Sequence, residues 1–258
     1  MAAGSLTVVG TGIQFGSQMT AEARIMLENA DIVLYVVAEP GMRTFLESLN
    51  PNSHSLAGFY EPGKPRAPAY EAMTEEILRR VQEGLDVCVA FYGHPGVFVT
   101  PSHEAVRRAR AEGVPARMLP GISAEDCLFA DLGLDPSSHG CQSYEATEFL
   151  VHSRRLDPTA ALVLWQIGTV GKDVAGSGTQ CSGLPVLVER LLEDYPAEHE
   201  VTVYEAAPYP GFEPLVRVVS LADLCEEDVT PLSTLYVPAL DSVLDLTMVD
   251  RLGLPRPG

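Results

Sequence analysis

The residues best suited to chemistry are three tyrosines and an arginine that lie close together in the sequence. Tyr60, Arg66 and Tyr70 follow one another at short spacing, and Tyr92 comes directly after an apolar run. A neighbouring guanidinium and a positive helix end both favour an ionised phenol, whose ordinary pKa is about 10. Arg66 and Tyr70 are therefore predicted to remove a proton from a reluctant acid. The residues alone also allow a simple stacking contact between the two.

Glycine-rich turns form the second feature that suggests chemistry. Residues 10–12 read GTG, residues 92–98 read YGHPGVF and residues 120–124 read PGISA, and each follows a short apolar run. Glycine at the end of a buried strand lets a small molecule approach the backbone closely. With Gly16, the GTG turn nearly matches the dinucleotide fingerprint, but the last spacing is one residue too long. A ligand-binding role and a plain strand-to-helix turn both stay open for it.

Other chemistries lack their usual signatures. The sequence holds no HExxH motif, no pair of histidines at ligand spacing and no Gly-x-Ser-x-Gly motif, so we predict neither a metal site nor a serine hydrolase. Ser123 precedes an expected helix, where it fits an N-cap or a ligand contact better than a nucleophile. His94 lies inside the YGHPGVF turn, and a structural and a functional role are equally open for it.

The amino-acid composition limits which partners and which cellular location we expect for this protein. The 258 residues carry 17 basic and 35 acidic side chains, which gives a formal net charge of −18, and 46% of them are hydrophobic. Such a surface repels phosphate backbones and anionic membranes, so we expect neither nucleic acid nor a membrane as a partner. The five cysteines are dispersed without a CxxC pair, and no apolar run approaches the roughly 20 residues of a membrane span. No signal peptide is recognised, and we expect a soluble, cytoplasmic protein.

The alternation of apolar and amphipathic segments predicts an α/β fold. In the first part of the chain we predict strands at 6–9, 32–37, 86–91 and 116–119 and helices at 19–29, 71–81 and 102–112. The middle helix is expected to start near Pro68, with Tyr70 in its first turn. In the second part we predict strands at 161–167, 200–204, 215–220 and 233–237, one clear helix at 185–194 and a mobile loop at 171–183. A domain boundary near Pro120 would separate an α/β domain (1–119) from a strand-rich α/β domain (120–258).

Several of these sequences resemble a known family. The YGHPGVF and PGISA turns resemble the S-adenosylmethionine-binding turns of the tetrapyrrole methylase superfamily, and the GTG turn fits the same pattern. A longer set resembles the borosin peptide-backbone α-N-methyltransferases: Tyr60, Arg66, Tyr70 and Tyr92, with GLDP at 133–136, QSYEA at 142–146 and LWQI at 164–167. The resemblance covers nearly the whole chain. It implies a two-lobed α/β fold of the tetrapyrrole-methylase type, with the cofactor cleft between the lobes.

The resemblance also implies a cofactor and a set of site residues. The cofactor would be S-adenosylmethionine, with S-adenosylhomocysteine as the product. Arg66 and Tyr70 would be the catalytic pair, and Tyr60 and Tyr92 would line the reacting centre and hydrogen-bond the substrate amide oxygen. The residues expected around the cofactor are Tyr92, His94, Val97, Phe98, Ser123, Ala124, Gln166, Tyr204, Ala206, Ser233 and Thr234.

The reaction implied by the resemblance is α-N-methylation of backbone amides in a ribosomally made precursor peptide, a step of natural-product biosynthesis. Because the chain stops at Arg256-Pro257-Gly258, it resembles the split, bacterial type, which acts on a separate precursor peptide. Family members form homodimers, so we expect a homodimer, with two enzymes and two peptides in one complex. Two alternatives stay open: a tetrapyrrole or other small-molecule methyltransferase, and a non-catalytic protein that binds a leader peptide.

Overall fold

The computed structural model describes residues 4–37, 40–172 and 183–256. By contacts between residues the chain divides into two units. The first unit comprises Met1–Leu134, Gly171–Gln180 and Tyr204–Val216, and the second comprises Asp135–Val170, Cys181–Val203 and Arg217–Gly258. A division by contacts differs from a boundary between separately folding domains, so the boundary near Pro120 stays a prediction. Residues 173–182 of the predicted loop at 171–183 lie outside the described residues.

The first unit is built on a five-stranded parallel sheet. Its strands are β1 (Ser5–Gly10), β2 (Ile32–Val36), β3 (Ser53–Ser55), β4 (Asp86–Phe91) and β5 (Ala116–Met118), in the order β3-β2-β4-β1-β5. β4 lies at the centre and pairs in parallel with β1 and β2. A central parallel strand is covered on both faces, which explains why β4 is apolar along almost its whole length.

Helices cover both faces of this sheet. α1 (Ala21–Asn29) and α2 (Pro40–Leu49) pack on one face, and α3 (Arg66–Gln82) and α4 (Thr100–Ala111) pack on the other. Side chains alternate along β4, because successive residues of a strand point to opposite faces. Val87 and Val89 pack with α3 and α4, whereas Cys88 and Ala90 pack with α1 and α2. A fifth helix, α5 (Ala124–Leu132), follows β5.

The second sheet is mixed. Its strands are β6 (Cys141–Glu145), β7 (Ala161–Trp165), β8 (Glu200–Glu205), β9 (Leu215–Ser220) and β10 (Thr234–Val237), in the order β6-β7-β10-β8-β9. β7 pairs in parallel with β6 and antiparallel with β10. The helices of this part are α6 (Ala146–Val151), α7 (Leu184–Leu191) and α8 (Leu246–Arg251). The core of the second unit forms where α6 and α7 pack on apolar side chains of β7, β8 and β10.

The structure confirms the α/β class and every strand that we predicted, with small differences at the ends. It corrects the start of α3, which begins at Arg66 because a helix tolerates proline in its first turn. The helix expected after Ser123 forms as α5, and α7 is the clear helix predicted among the later strands, whereas α6 and α8 were not predicted. The six residues of α6 and of α8 are too few to display the period of 3.6 residues. The sequence analysis also missed α2, β3 and β6.

Three further properties concern the described residues only. None of their helices is long and apolar enough to cross a membrane. No group of three or more histidine, cysteine or acidic side chains among them could hold a metal ion. The cysteines that the structure describes are free thiols.

Candidate active site

Three turns meet at the carboxyl ends of β1, β4 and β5, and their backbones touch. Gly12 donates to the Gly93 carbonyl at 3.3 Å, and Gly93 donates to the Gly12 carbonyl at 3.0 Å. A Cβ atom at Gly10 would stand 2.1 Å from the Gly93 carbonyl oxygen, and one at Gly121 would stand 3.3 Å from the same atom. Residues without a Cβ atom allow this approach. The packing of turn against turn therefore accounts for Gly10 without a ligand, and at Gly12 a Cβ atom would stand 2.5 Å from Gln18 Cβ.

The same edge of the sheet has the topology of a ligand site. β1 and β4 are neighbours, yet β1 leads to α1 on one face of the sheet and β4 leads to α4 on the opposite face. Where neighbouring parallel strands lead to opposite faces, a crevice opens at their carboxyl ends, and open α/β sheets bind ligands there. The GTG and YGHPGVF turns both lie at this edge.

The YGHPGVF turn presents an apolar, strained pair to solvent. Val97 is 41% exposed and Phe98 is 50% exposed. Phe98 has a φ of 55°, a left-handed conformation that few bulky residues adopt. Such backbone strain costs on the order of 1–3 kcal/mol and is concentrated at binding and catalytic sites. The ring of His94 helps to shape the turn, because its Nδ1 accepts the N–H of Gly96 at 2.9 Å.

The PGISA turn begins α5. The Asp126 N–H donates to Ser123 Oγ at 3.3 Å, and the Ser123 N–H donates to Asp126 Oδ2 at 2.7 Å. These reciprocal bonds form a capping box, which confirms Ser123 as the N-cap. Ala124 is the first residue of the helix and is half-buried. The predicted cofactor contacts of Ser123 and Ala124 stay predictions.

Tyr204 is held by a carboxylate. Its side chain is fully buried near the end of β8, and its hydroxyl donates to Asp131 Oδ2 at 2.7 Å. Burial, followed by the hydrogen bond with Asp131, raises the pKa of Tyr204 far above that of a free phenol. Tyr204 therefore stays protonated and cannot serve as a base. Ala206 follows β8 and is half-buried.

Tyr60 and Tyr70 form a phenol pair on the core of the first unit. Their ring centroids lie 6.2 Å apart at an interplanar angle of 82°, and both rings pack against the apolar cluster under α3 and α4. Burial, then the proximity of Tyr70, raises the pKa of Tyr60 to about 12, and the charge of Arg66 opposes that rise. Tyr60 therefore keeps its proton at neutral pH, with its ring against that of Tyr70. The structure thus brings together three of the four residues predicted to be catalytic.

Arg66 lies at the positive end of α3. It is the first residue of the helix, it is half-buried, and no acidic residue occupies the first turn. A cation at a helix N-terminus costs stability, so this end of α3 carries concentrated positive potential. Tyr70 is the fifth residue of the helix rather than a first-turn residue as predicted, because α3 begins two residues before Pro68. The helix dipole fades within the first turn, which leaves the guanidinium as the main cationic influence on the phenols.

Tyr92 lies where β4 passes into the YGHPGVF turn. It is half-buried, and its N–H donates to the Val36 carbonyl at 3.2 Å, which ties this point of the turn to β2. The charge of an ionised Tyr92 contributes to the raised pKa of Tyr204, so the two phenols lie within electrostatic reach of each other. Tyr92 and Tyr204 form a second phenolic group near the glycine turns.

The remaining predicted cofactor residues belong to the second unit. Gln166 follows β7 with a left-handed backbone, φ 61° and ψ 38°. The Ile167 N–H donates to the Ser233 carbonyl at 3.0 Å, and Ser233 Oγ accepts the Thr230 N–H at 2.8 Å. Thr234 opens β10 and is buried. Because β7 and β10 are antiparallel, the end of one meets the start of the other, and Gln166, Ser233 and Thr234 come together there.

Gln18 shapes the GTG turn, and the sequence analysis missed it. Its side-chain oxygen accepts the N–H groups of Ile13 and Gln14, each at 2.9 Å, and its amide nitrogen lies 3.4 Å from Cys127 Sγ. The sequence signal for Gln18 is indirect: backbone N–H groups in a buried turn need hydrogen-bond acceptors, and a nearby glutamine can supply one. Asp131, the partner of Tyr204, was missed for a similar reason, since no spacing rule marks a lone carboxylate on a helix.

Comparisons with known proteins agree with this architecture. Residues 5–224 match the family of Tetrapyrrole (Corrin/Porphyrin) Methylases. Among solved structures, the chain is similar to uroporphyrin-III-C-methyltransferase from Thermus thermophilus, with a TM-score of 0.66, 23% identity and coverage of 99% of this chain and 98% of that chain. It is also similar to diphthine synthase, with a TM-score of 0.60, 18% identity and coverage of 91% and 89%. At these identities the similarity shows the fold alone.

Fungal relatives are closer in sequence. The chain is 46% identical over 241 residues to the methyltransferase/ribosomally synthesized cyclic peptide omphalotin A precursor of Omphalotus olearius, covering 92% of this chain and 58% of that protein. It is 42% identical over 259 residues to the methyltransferase/ribosomally synthesized type I borosin cyclic peptide precursor of Serendipita vermifera subsp. bescii, covering 98% and 63%. The chain thus spans less than two thirds of the length of these relatives. Because the family match extends over most of its residues, the chain belongs to the tetrapyrrole methylases, which confirms the methylase class predicted from the sequence.

Proposed function

We propose that this protein methylates backbone amide nitrogens of a ribosomally made peptide, with S-adenosylmethionine as the methyl donor. The names of its fungal relatives combine a methyltransferase with a cyclic-peptide precursor. The observation that carries the proposal is the phenol pair Tyr60 and Tyr70 with Arg66 acting on it. A methylase whose substrate already has a good nucleophile would not need these three residues together.

A backbone amide demands a base because its nitrogen is a poor nucleophile. The nitrogen lone pair is delocalised into the carbonyl, so the N–H proton must leave as the new bond to carbon forms. Tyr70 accepts that proton as the general base. We assign to Tyr60, as the protonated neighbour of Tyr70, the support of that base, and Arg66 places a positive charge beside the pair.

The phenol pair refines the roles of Tyr60 and Tyr92. A phenol has one proton, and we assign that of Tyr60 to its neighbour Tyr70. Tyr92 is therefore the residue that we assign to the substrate amide oxygen, where negative charge develops as the nitrogen is alkylated. The predicted contact of Tyr60 with the amide oxygen becomes secondary to its support of Tyr70.

The residues at the predicted cofactor positions fit S-adenosylmethionine, which supplies a methyl group activated by a sulfonium centre when it is bound. Of the three described residues other than glycine that have a positive φ, two are Phe98 and Gln166. Backbone strain at two positions that were predicted independently to contact the cofactor supports a binding role for both. The exposed ring of Phe98 also offers an aromatic face, which favours a cation.

The source of the peptide is a finer part of the proposal. A separate precursor was predicted from the sequence, whereas the names of the relatives describe the methyltransferase and the precursor as one protein. The relatives therefore favour a peptide carried on the same protein, and the separate precursor of the split, bacterial type stays a proposal. The homodimer and the cytoplasmic location also rest on the resemblance and stay proposals.

The function is tested by binding and by mass spectrometry. The purified protein is titrated calorimetrically with S-adenosylmethionine and then incubated with it and with two peptides: the translated sequence downstream of residue 258, if the gene continues, and the product of a neighbouring short reading frame. Tandem mass spectrometry locates added methyl groups, and we expect them on backbone nitrogens. Methylation of a porphyrinoid but of neither peptide would favour the small-molecule methylase. The absence of cofactor binding would favour the non-catalytic leader-binding protein.

A further inference from the structure

A histidine holds the peptide group on each side of Gly96. Its N–H donates to His94 Nδ1 at 2.9 Å, and its carbonyl lies 2.8 Å from His103 Nε2. A carbonyl oxygen only accepts and a backbone N–H only donates, so His103 carries its proton on Nε2 and His94 leaves Nδ1 unprotonated. The two contacts fix the two consecutive peptide planes that meet at Gly96 Cα, in the middle of the YGHPGVF turn.

The residue before His103 holds the same turn. Ser102 is fully buried in the first turn of α4, and its Oγ lies within hydrogen-bond distance of the Pro95 carbonyl and 2.9 Å from that of Val99. Its single proton can be donated to either carbonyl. Ser102 and His103 thus contact three carbonyls of a segment that begins at Pro95 and ends at Val99. The first turn of α4 therefore holds residues 95–99 through hydrogen bonds.

The segment of residues 95–99 is closely packed at Gly96. A Cβ atom at Gly96 would stand 2.8 Å from Met118 Sδ and 3.2 Å from His94 Cε1. Immediately after Gly96 come Val97 and Phe98, the exposed residues of which Phe98 has the strained φ. A strained backbone persists only where the surroundings over-determine it. The contacts at Gly96 and at the Val99 carbonyl restrain the backbone on the two sides of Phe98.

We propose that Ser102 and His103 are positioning residues that hold Val97 and Phe98 in the conformation that binds S-adenosylmethionine. The proposal rests on the proposed function and assigns no contact with the cofactor to either residue. They act through the Pro95, Gly96 and Val99 carbonyls. Loss of the His103 hydrogen bond lets the strained turn relax, so the protein must restore the turn each time that it binds the cofactor.

His103 offers the cleaner test because its side chain is exposed, so its replacement has little effect on folding. His103→Leu removes the donor, His103→Gln retains an N–H donor on a flexible side chain, and His139→Leu is the matched change at another exposed histidine. Calorimetry gives the affinity for S-adenosylmethionine and for S-adenosylhomocysteine, and thermal unfolding gives Tm. We expect His103→Leu to weaken both affinities about tenfold with little change in Tm. His103→Gln should recover most of this loss, and His139→Leu should bind like the wild type.

Each outcome bears on a different claim. If the wild type binds no S-adenosylmethionine, the proposed function fails before the variants are compared. If the wild type binds it and His103→Leu binds equally well, the positioning role alone is wrong. An equal loss in His139→Leu, or no recovery in His103→Gln, would also overturn the role. Ser102→Ala gives a second readout. Added to His103→Leu, it should raise the KM for the cofactor further, while kcat at saturating cofactor should stay close to that of His103→Leu.

Discussion

Two parts of the candidate site in the first unit are held in different ways. The glycine turns are held by backbone contact, with no room for a Cβ atom at Gly10. The phenol pair is held by side chains: the rings of Tyr60 and Tyr70 pack on the core, and Arg66 acts on them through its charge. The predicted cofactor turns thus depend on steric fit, whereas the predicted base depends on burial and electrostatics. Substitutions should therefore separate the folding of the turns from the chemistry of the phenols.

The largest effect is expected at the point of closest contact. In Gly10→Ala the new Cβ atom would stand 2.1 Å from the Gly93 carbonyl oxygen, so the two turns must separate. We expect a loss of about 3 kcal/mol or more in the free energy of unfolding, measured by urea denaturation, together with loss of cofactor binding. Gly58→Ala is the control, because no atom lies within 4 Å of its added Cβ. Equal stability of the two variants would show that the turns yield easily.

The next effect should appear in turnover alone. Tyr70→Phe removes the proposed base but keeps the ring that packs on the core, so methylation should fall by about 10²- to 10⁴-fold. Calorimetry should show unchanged affinity for S-adenosylmethionine, and Tm should change little. Tyr195→Phe is the matched control, since it removes a buried phenol from the core of the second unit. Near-normal turnover in Tyr70→Phe would remove Tyr70 as the base and leave the phenol pair without its proposed use.

Much of the fold follows from local sequence. The apolar run from Asp86 to Phe91 has the length and pattern of a central parallel strand, and the structure has it there with the same bounds. The short helices α6 and α8 could not be predicted in this way, because six residues form fewer than two turns. Such helices owe their stability to tertiary packing rather than to their own propensity.

The same distinction applies to the candidate site: features set by local sequence could be predicted, and those set by long-range contacts could not. The glycine turns, the arginine and the tyrosines could be found from residue types, spacing and resemblance. The raised pKa of Tyr60 could not, because it depends on how two rings pack on a common core. The contact between Gln18 and Cys127 joins residues far apart in the sequence, and the bond from Tyr204 to Asp131 does the same. Side-chain contacts at long range leave no local pattern to read.

A smaller effect is expected at Arg66, and it should depend on pH. Arg66→Ala removes the positive charge beside the phenol pair, so an anionic base at this place loses its electrostatic support. We expect turnover at pH 7 to fall about tenfold and to recover as the pH is raised, measured as the pH profile of kcat/KM. Arg66→Lys keeps a positive charge without the planar guanidinium, so its turnover should lie between that of the wild type and that of Arg66→Ala. An unchanged profile in Arg66→Ala would mean that the arginine only positions the substrate.

The smallest effect expected on stability concerns Tyr60, and this effect on the free energy of unfolding appears only in alkaline solution. Its pKa is raised from 10.0 to about 12, so the folded protein favours the protonated phenol. The stability contributed in this way is fully present below about pH 10 and is lost as the pH rises toward about 12, because the unfolded chain ionises first. In Tyr60→Phe this loss is absent, so urea denaturation between these pH values should show a shallower decline than in the wild type.

Tyr195 provides the comparison that separates stability from chemistry. Burial also raises its pKa to about 12, and its hydroxyl has no hydrogen-bond partner among the described residues. Tyr195→Phe should therefore flatten the alkaline decline much as Tyr60→Phe does. Only Tyr60→Phe should also slow methylation at neutral pH, because only Tyr60 lies against Tyr70, the proposed base. If both variants methylate at the wild-type rate, the phenol pair is a feature of core packing, and support for the base must come from Arg66 alone.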